Sequence, residues 1–211
     1  MTLATRPPDA LPLDNGAHLS AEEFLRRYEA SEPRLKAELI DGVVYVASPV
    51  SLRHGDPHAI VIGWLVAYAA PRADVRVSDN ATIRLGDKDV PQPDAHLRYA
   101  SSARNRADGM YLQGPPELVV EIAVSSASLD LHEKLESYRR HGVQEYIVWR
   151  VYDDAIDWFA LAGDEYERLE PDGDGVVHSR VFPGLRLAVE ALIRGDIAKV
   201  LSVQQSAPRP H

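Results

Sequence analysis

The sequence predicts a single mixed α/β (α+β) domain, with a strand at residues 117–124 near its centre. Its 211 residues, 45% of them hydrophobic, are enough to bury the core of one domain. Segments with helical spacing alternate along the chain with segments typical of strands, as expected when helices cover a sheet. The run ELVVEIAV at 117–124 has the length and β-branched content of a buried strand.

The first half of the chain predicts a helix, a strand pair, a second helix and two further strands. SAEEFLRRYEA begins with Ser20 and Glu23 in the spacing of a capping box, which indicates a short helix. AELIDGVVYVA at 37–47 reads as two strands that turn at Asp41-Gly42. Residues 57–70 have helical spacing and place Pro57 in the first turn. DVRVSD and ATIRL follow as strands.

The second half predicts a strand, a helix, a strand and a β-meander. Pro115-Pro116 precede the strand at 117–124, and a helix from about 129 to 141 ends before Gly142. QEYIVWRV is the next strand. The segments AIDWFAL, EYERLE and VVHSRVF predict an additional C-terminal β-meander packed beyond the core. The predicted domain covers 18–195, while 1–17 and 203–211 are expected to be flexible.

Composition narrows the classes of function. Without cysteine the chain forms no disulfide and no thiolate metal site. The N-terminus lacks the apolar region of a secretory signal, and the most apolar helix-like run is shorter than the ~20 residues that span a bilayer. We therefore expect a cytoplasmic protein without a membrane partner.

The net charge of −9 counts against a general binder of duplex nucleic acid, because phosphates repel an acidic protein unless a local basic surface faces them. Two local basic clusters exist, and such clusters most often form a solvated face. Their members are Arg98, Arg104 and Arg106, and Lys134, Arg139 and Arg140. Nucleic acid thus stays open as a partner.

Glu121 is a carboxylate inside the most apolar short run of the chain. Strand alternation puts it on one face with Val119 and Ala123, opposite a wholly apolar face. Burying an isolated carboxylate costs several kcal/mol, so a partner, a metal or a raised pKa must accompany it. The alternative is an edge strand on which Glu121 faces solvent or pairs with an arginine.

Asp94 and Lys134 add two further unusual positions. Asp94 follows a proline at the start of a strand-like run, although Pro-Asp by itself usually marks a turn. Lys134 occupies one place of the apolar helical stripe formed by Leu131, Leu135 and Tyr138. Its ammonium either extends out to solvent or points inward at the sheet.

An aspartate and a glutamate at neighbouring strand ends, with a lysine in reach, suit metal-assisted hydrolysis of a phosphodiester. Carboxylate oxygens hold Mg²⁺, a hard cation that keeps several waters. The metal lowers the pKa of a bound water and neutralises phosphoryl charge, while the lysine orients the water or stabilises the transition state.

Four motifs together resemble the Uma2 family, formerly DUF820, of the PD-(D/E)XK nuclease-like superfamily. They are ELIDGVVY at 38–45, PD at 93–94, PPELVVEIAVSSAS at 115–128 and KLESYRRHGVQEYIVW at 134–149. The resemblance runs from about residue 20 to 190. It implies a restriction-endonuclease-like core, in which helices flank a central mixed β-sheet. It also implies a nuclease site that uses Mg²⁺, with Mn²⁺ as substitute, a DNA substrate and a homodimer.

The resemblance assigns roles residue by residue. Asp94 and Glu121 match the metal-binding carboxylates, and Ala123 stands where the superfamily usually has its lysine. Lys134 matches the lysine that Uma2 proteins carry on the following helix. Glu38 matches an acidic residue that completes the metal site or holds a water, although in isolation it reads as an exposed strand glutamate.

Two interpretations stay open for the other positions that match the family. Tyr138 and Asp130 match the family, but core packing and a helix N-cap explain them equally well. His54 matches a family position and is a candidate for contact with substrate phosphate. His54 and His58 have an H-x-x-x-H spacing, but Pro57 between them makes the helical geometry of a zinc pair unreliable, so no zinc site is expected.

Two departures from the family pattern touch no predicted site residue. VSSAS lacks the usual Ser-Pro after the glutamate, and Arg150 stands where an aspartate is common. Two hypotheses for function follow from the sequence. The first is a metal-dependent endonuclease acting on DNA, and the second is a catalytically inactive nucleic-acid-binding or assembly module that keeps the fold.

Overall fold

A six-stranded mixed sheet forms the centre of the protein in a computed structural model that describes residues 11–206. Its strands lie in the order β11-β10-β9-β8-β5-β3. The strands are β1 Ala37–Ile40, β2 Val43–Val46, β3 Val75–Asp79, β4 Ile83–Arg84, β5 Ala95–Tyr99, β6 Arg106–Asp108, β7 Tyr111–Gln113, β8 Leu118–Ala123, β9 Glu145–Arg150, β10 Ala155–Ala162, β11 Glu165–Arg168, β12 Val176–His178 and β13 Arg186–Ala188.

The helices cover both faces of this sheet. They are α1 Ala21–Glu29, α2 Leu52–Ala69, α3 Ala127–Leu129, a π-helical segment Asp130–Lys134, α4 Leu135–Arg140, a 3₁₀ turn Val151–Asp153, α5 Val189–Ile193 and α6 Ile197–Gln205. The predicted fold class, a central mixed sheet flanked by helices, is confirmed. Within residues 11–206, none of these helices combines the length and apolarity needed to cross a bilayer.

Strand β8 lies inside the sheet and is buried on both faces. It runs parallel to β9 and antiparallel to β5, and α3, the π segment and α4 connect it to β9. Val120 and Ile122 pack into the main core with residues of α2, including Trp64. Val119, on the other face, packs beneath Tyr138 of α4. Both faces therefore need a cover, which explains the near-continuous apolar run.

Two short predicted elements are confirmed with a change of detail. Ser20 caps α1 and accepts the N–H of Glu23, but the Glu23 carboxylate bonds Arg26 and Arg27 instead of completing a capping box. The predicted hairpin β1–β2 turns at Asp41 and Gly42, both with positive φ, and forms a sheet of its own.

Helix α2 begins five residues earlier than predicted. The structure starts it at Leu52, so Pro57 lies inside the helix instead of in its first turn. Backbone hydrogen bonds from His54 and Gly55 to Ser51 close the first turn before the proline is reached. Pro57 disturbs the helix only locally, because it lacks one N–H donor and its ring crowds one carbonyl, and the helix continues to Ala69.

The predicted C-terminal meander is present, but its placement differs from the prediction. β9, β10 and β11 are successive antiparallel neighbours, and they extend the central sheet instead of packing beyond the core. Trp158 and Ala160 of β10 lie in the main core. β12 pairs separately with β13, and β4, β6 and β7 form a small sheet that the sequence did not predict beyond β4.

Parts of both predicted flexible ends are ordered. Within the predicted N-terminal segment, Leu13 is buried and the N–H of Gly16 donates to Val44. Within the predicted tail, α6 continues to Gln205, and the Gln204 side chain accepts from Arg186 N–H and donates to the Gly184 carbonyl. Residues 1–10 and 207–211, on which the rest of these predictions falls, lie outside the described residues.

Candidate active site

A cleft of about 440 Å³ opens where the hairpin β1–β2, the start of α2, the start of β5 and the end of β8 meet. The helical segment after β8 also lines it, with Leu129, Asp130 and Lys134. The cleft is lined by all four residues predicted to be catalytic and by His54: Glu38, His54, Asp94, Glu121 and Lys134. Residues far apart in the chain thus lie together.

Glu121 lies in the buried strand β8 and is only 4% exposed. Its Oε1 accepts hydrogen bonds from Lys134 Nζ at 3.0 Å and from Tyr138 OH at 2.9 Å. Burial raises the pKa of the Glu121 carboxyl well above its usual value, against the opposing effect of the Lys134 ammonium. The alternative of an exposed edge-strand glutamate, or one paired with an arginine, is wrong.

Lys134 points inward, so the alternative that it extends to solvent is also wrong. Its Nζ lies 2.8 Å from Glu38 Oε2, 3.0 Å from Glu121 Oε1 and 3.6 Å from Asp130 Oδ1. Burial alone would lower the pKa of Lys134, but these carboxylates raise it well above its usual value. The ammonium is therefore charged.

Asp130 lines the cleft, and of its two interpretations the helix N-cap is wrong. The helix begins at Ala127, so Asp130 is not an N-cap; it lies in the π segment and is buried. Its Oδ2 accepts the Ser126 hydroxyl at 2.6 Å, whereas Oδ1 is buried without a hydrogen-bond partner. Burial raises the pKa of this carboxyl. The i,i+4 spacing of Asp130 and Lys134 was the available signal.

The π segment explains why the predicted apolar stripe is imperfect. A wider turn shifts the side chains that follow it relative to an ideal α-helix. Asp130 and Lys134 are buried, while Leu131 and Leu135 are only partly buried and pack against the core cluster that includes Tyr138.

Asp94 immediately precedes β5 and lies beside Glu121. Ala95 pairs with Val120, and extending this antiparallel register by one residue puts Asp94 opposite Glu121. Asp94 Oδ2 accepts the Ile122 N–H at 2.7 Å, and Oδ1 lies 3.0 Å from His54 Nε2. Burial would raise the pKa of Asp94, but the His54 and Ile122 hydrogen bonds lower it, so the carboxylate is ionised.

The two histidines both lie on α2, where the sequence placed the helix start between them. Their ring centroids are 5.6 Å apart. His58 Nε2 lies 2.9 Å from the Asp94 carbonyl oxygen and 3.1 Å from Asp79 Oδ1. His54 thus steadies the Asp94 side chain and His58 its backbone, while contact of His54 with substrate phosphate stays a prediction.

Glu38 and Tyr138 complete the cluster from opposite sides. Glu38 Oε1 accepts the Gln92 N–H at 2.6 Å while Oε2 pairs with Lys134, so the alternative of an exposed strand glutamate is wrong. Tyr138 packs against Tyr146 with ring centroids 4.9 Å apart and also donates to Glu121. Core packing and a site role therefore coincide at Tyr138.

The donor set of the cleft suits a hard divalent cation. Three carboxylates, those of Glu38, Glu121 and Asp130, lie within 4.0 Å of the Lys134 ammonium, and a fourth, that of Asp94, lies beside Glu121 across the strand pair. Throughout residues 11–206, no three or more His, Cys, Asp and Glu side chains are arranged as a ready-made metal cage. Mg²⁺ needs no such cage, because one or two carboxylates with waters and substrate oxygens commonly hold it. The excess of carboxylates over ammonium groups, and the Asp130 Oδ1 that accepts no hydrogen bond, fit such a cation.

Comparison with known proteins gives a family match and a structure of similar fold. The model of the Uma2 family, described as "Putative restriction endonuclease", matches residues 21–190. No curated protein matches the chain. Among solved structures, the crystal structure of a "putative nuclease belonging to DUF820" from Anabaena variabilis ATCC 29413 is similar with a TM-score of 0.67 and 17% identity. The match covers 84% of this chain and 98% of that one, and at this identity it shows the fold alone.

Proposed function

The chain belongs to the Uma2 family, and from that premise we propose that it is a metal-dependent endonuclease that hydrolyses phosphodiester bonds in DNA. The observation that carries the proposal is the buried cluster in which Lys134 bridges Glu38 and Glu121 while Asp94 lies across the strand pair. A family of restriction-endonuclease type and a nuclease fold both support it.

In this proposal Asp94 and Glu121 hold Mg²⁺, for which Mn²⁺ substitutes. When bound, the ion supplies a water of lowered pKa and offsets charge on the phosphoryl oxygens. Asp94 is suited to this role because its carboxylate is ionised and held by the Ile122 N–H and by His54.

Lys134 acts on the reacting phosphate. An ammonium has three N–H donors, and Glu38 and Glu121 accept from two of them. The third is available to orient the attacking water or to stabilise negative charge on the phosphorus-bound oxygens. Glu38 is auxiliary: it fixes the lysine while the Gln92 N–H fixes Glu38.

The second candidate is a catalytically inactive nucleic-acid-binding or assembly module that retains the fold. One observation favours it: the net charge of −9 opposes the approach of duplex DNA that a nuclease needs, whereas an assembly role needs no contact with phosphate. The position of Lys134 favours the nuclease, because its ammonium is held between Glu38 and Glu121 inside the cleft instead of on an exposed surface.

The test is cleavage of plasmid and of single-stranded DNA with Mg²⁺ or Mn²⁺, by the wild type and by Asp94→Ala and Lys134→Ala. We expect the wild type to cleave and both variants to lose the activity. Asp87→Ala removes a carboxylate that is 95% exposed and outside the cleft, so it should cleave like the wild type.

Cleavage that persists in both site variants would refute the assignment. No cleavage under any condition, together with no Mn²⁺ binding by calorimetry, would favour the module. The homodimer implied by the family resemblance is part of the proposal, and light scattering of the purified protein tests it.

A further inference from the structure

Few cations line the cleft, and most of them already contact carboxylates. Lys134 is paired with Glu38 and Glu121, and His54 contacts Asp94. Among the described lining residues, Lys36 is the one lysine or arginine without a carboxylate within 4.0 Å; its Nζ donates to the Asn80 amide oxygen at 2.6 Å. Duplex DNA carries one charge per ~1.7 Å, and its binding relies on several lysine and arginine contacts. The cleft offers too few for that.

Part of the cleft lining is apolar, and this part is called the wall. Tyr45, Val50, Val124 and Leu129 contribute to it. Tyr45 lies directly opposite Glu38 in the β1–β2 pair, so an aromatic ring and a site carboxylate share one face of the hairpin. Aromatic and apolar side chains bind unpaired bases by stacking, whereas bases inside a duplex stack on one another.

The charged groups are recessed. Glu121 and Lys134 are each 4% exposed, and the cleft that leads to them has a volume of about 440 Å³. That volume is typical of a site for one small ligand. A single strand can place one nucleotide in the cleft. A strand of a duplex can enter only together with its complementary strand.

We propose that the cleft takes an unpaired DNA strand in preference to a duplex. The scissile phosphate lies at Asp94, Glu121 and Lys134, one base lies against the wall that includes Tyr45, and Lys36 contacts an adjacent phosphate. This inference rests on the proposed nuclease function for its reacting group, but strand preference is measurable without cleavage.

The experiment is fluorescence anisotropy of a labelled oligonucleotide, single-stranded or annealed to its complement, with Ca²⁺ replacing Mg²⁺. We expect the wild type to bind the single strand at least about tenfold more tightly than the duplex. Tyr45→Ala should weaken single-strand binding about fivefold or more, because a stacked base contributes that much. Tyr45→Phe should restore it.

Two controls separate the wall and the phosphate contact from general effects. Tyr152→Ala removes a tyrosine that is 64% exposed outside the cleft, and it should bind like the wild type. Lys36→Ala should reduce the slope of log affinity against log salt by about 0.7, the value for one phosphate contact on a single strand.

Each outcome decides the matter. Duplex binding equal to or tighter than single-strand binding overturns the inference, even if duplex cleavage shows the nuclease proposal to be right. Absence of binding to either DNA, or full binding by Tyr45→Ala, also overturns it. Single-strand preference without any cleavage supports the inference and counts against the nuclease proposal.

Discussion

Glu121 and Glu145 are both buried glutamates on the two parallel strands of the sheet, yet their surroundings differ in kind. Glu145 Oε1 accepts the N–H groups of Arg180 and Val181 at 2.6 and 3.1 Å, and Oε2 accepts the Ser179 hydroxyl at 2.7 Å. Burial raises the pKa of Glu145, and these bonds oppose it. Its carboxylate therefore ties the loop before β13 to the start of β9.

Within residues 11–206, by contrast, no backbone N–H donates to the Glu121 carboxylate. Its hydrogen bonds come from Lys134 and Tyr138, and the residue lines an open cleft. A buried charge by itself thus does not mark a site. What distinguishes the two glutamates is whether the partners are fixed amides or ionisable side chains next to space for a ligand.

The largest effect is expected for Glu121→Gln. The amide keeps an oxygen for Lys134 and Tyr138 but removes the charge that holds a cation, so DNA cleavage should fall about 10²–10³-fold. Initial rates with Mg²⁺ measure the change, and circular dichroism checks the fold. A rate within about threefold of wild type would contradict the contrast with Glu145.

Glu145→Ala should show the reverse pattern, a loss of stability without a specific loss of activity. It leaves the part-buried Arg180 N–H and the Ser179 hydroxyl without their acceptor and leaves Val181 N–H only its bond to Ser179, which costs about 2 kcal/mol. Urea denaturation measures the free energy of unfolding, with Glu121→Gln as the matched control at less than about 1 kcal/mol. Equal destabilisation by both variants would contradict the distinction between a structural Glu145 and a Glu121 that belongs to the cleft.

Asp89 is a third buried carboxylate, and its contribution to stability is expected to depend on pH. Burial would raise its pKa, but hydrogen bonds from His141, Ser137 and the Asp41 N–H lower it well below the ordinary value of 3.8. Its stabilisation is thus present above that value and is lost as the pH falls below it. Asp89→Asn should be less stable than wild type near neutrality, and the difference should shrink below about pH 4. A difference that stays constant in urea titrations continued below about pH 4 would contradict the depressed pKa.

Tyr138→Phe should have the smallest effect. It removes one of two hydrogen bonds to Glu121 Oε1 and keeps the ring packed on Tyr146. We expect the free energy of unfolding to fall by about 1 kcal/mol and DNA cleavage to slow about three- to tenfold, because Lys134 still holds the carboxylate. The same two assays test this, and a loss as large as that of Glu121→Gln would give the hydroxyl a direct part in the chemistry.

The sequence predicted the parts of the site that disturb a regular pattern. Glu121 interrupts an apolar strand and Lys134 an apolar helix face, and both mismatches were visible without a structure. Asp130 kept two interpretations because a polar residue near a helix start is typical of a cap, and local sequence does not reveal a π segment.

The other differences between the predicted and the observed structure arise from tertiary contacts, which local sequence does not reveal. The contact of His54 with Asp94 depends on α2 beginning before Pro57, which the proline signal argued against. The membership of β10 and β11 in the central sheet depends on strand order, and periodicity predicts that a strand exists without predicting its neighbour.

The scattered origin of the cleft also has a consequence for biosynthesis. Its charged side chains come from the first hairpin, the start of β5, the strand β8 and the helical segment after it. A chain emerging from the ribosome has no complete cluster until most of the sheet can form, since these contacts join distant parts of the chain. Any hydrolytic capacity of the cluster is consequently withheld from unfinished chains and appears only with the assembled domain.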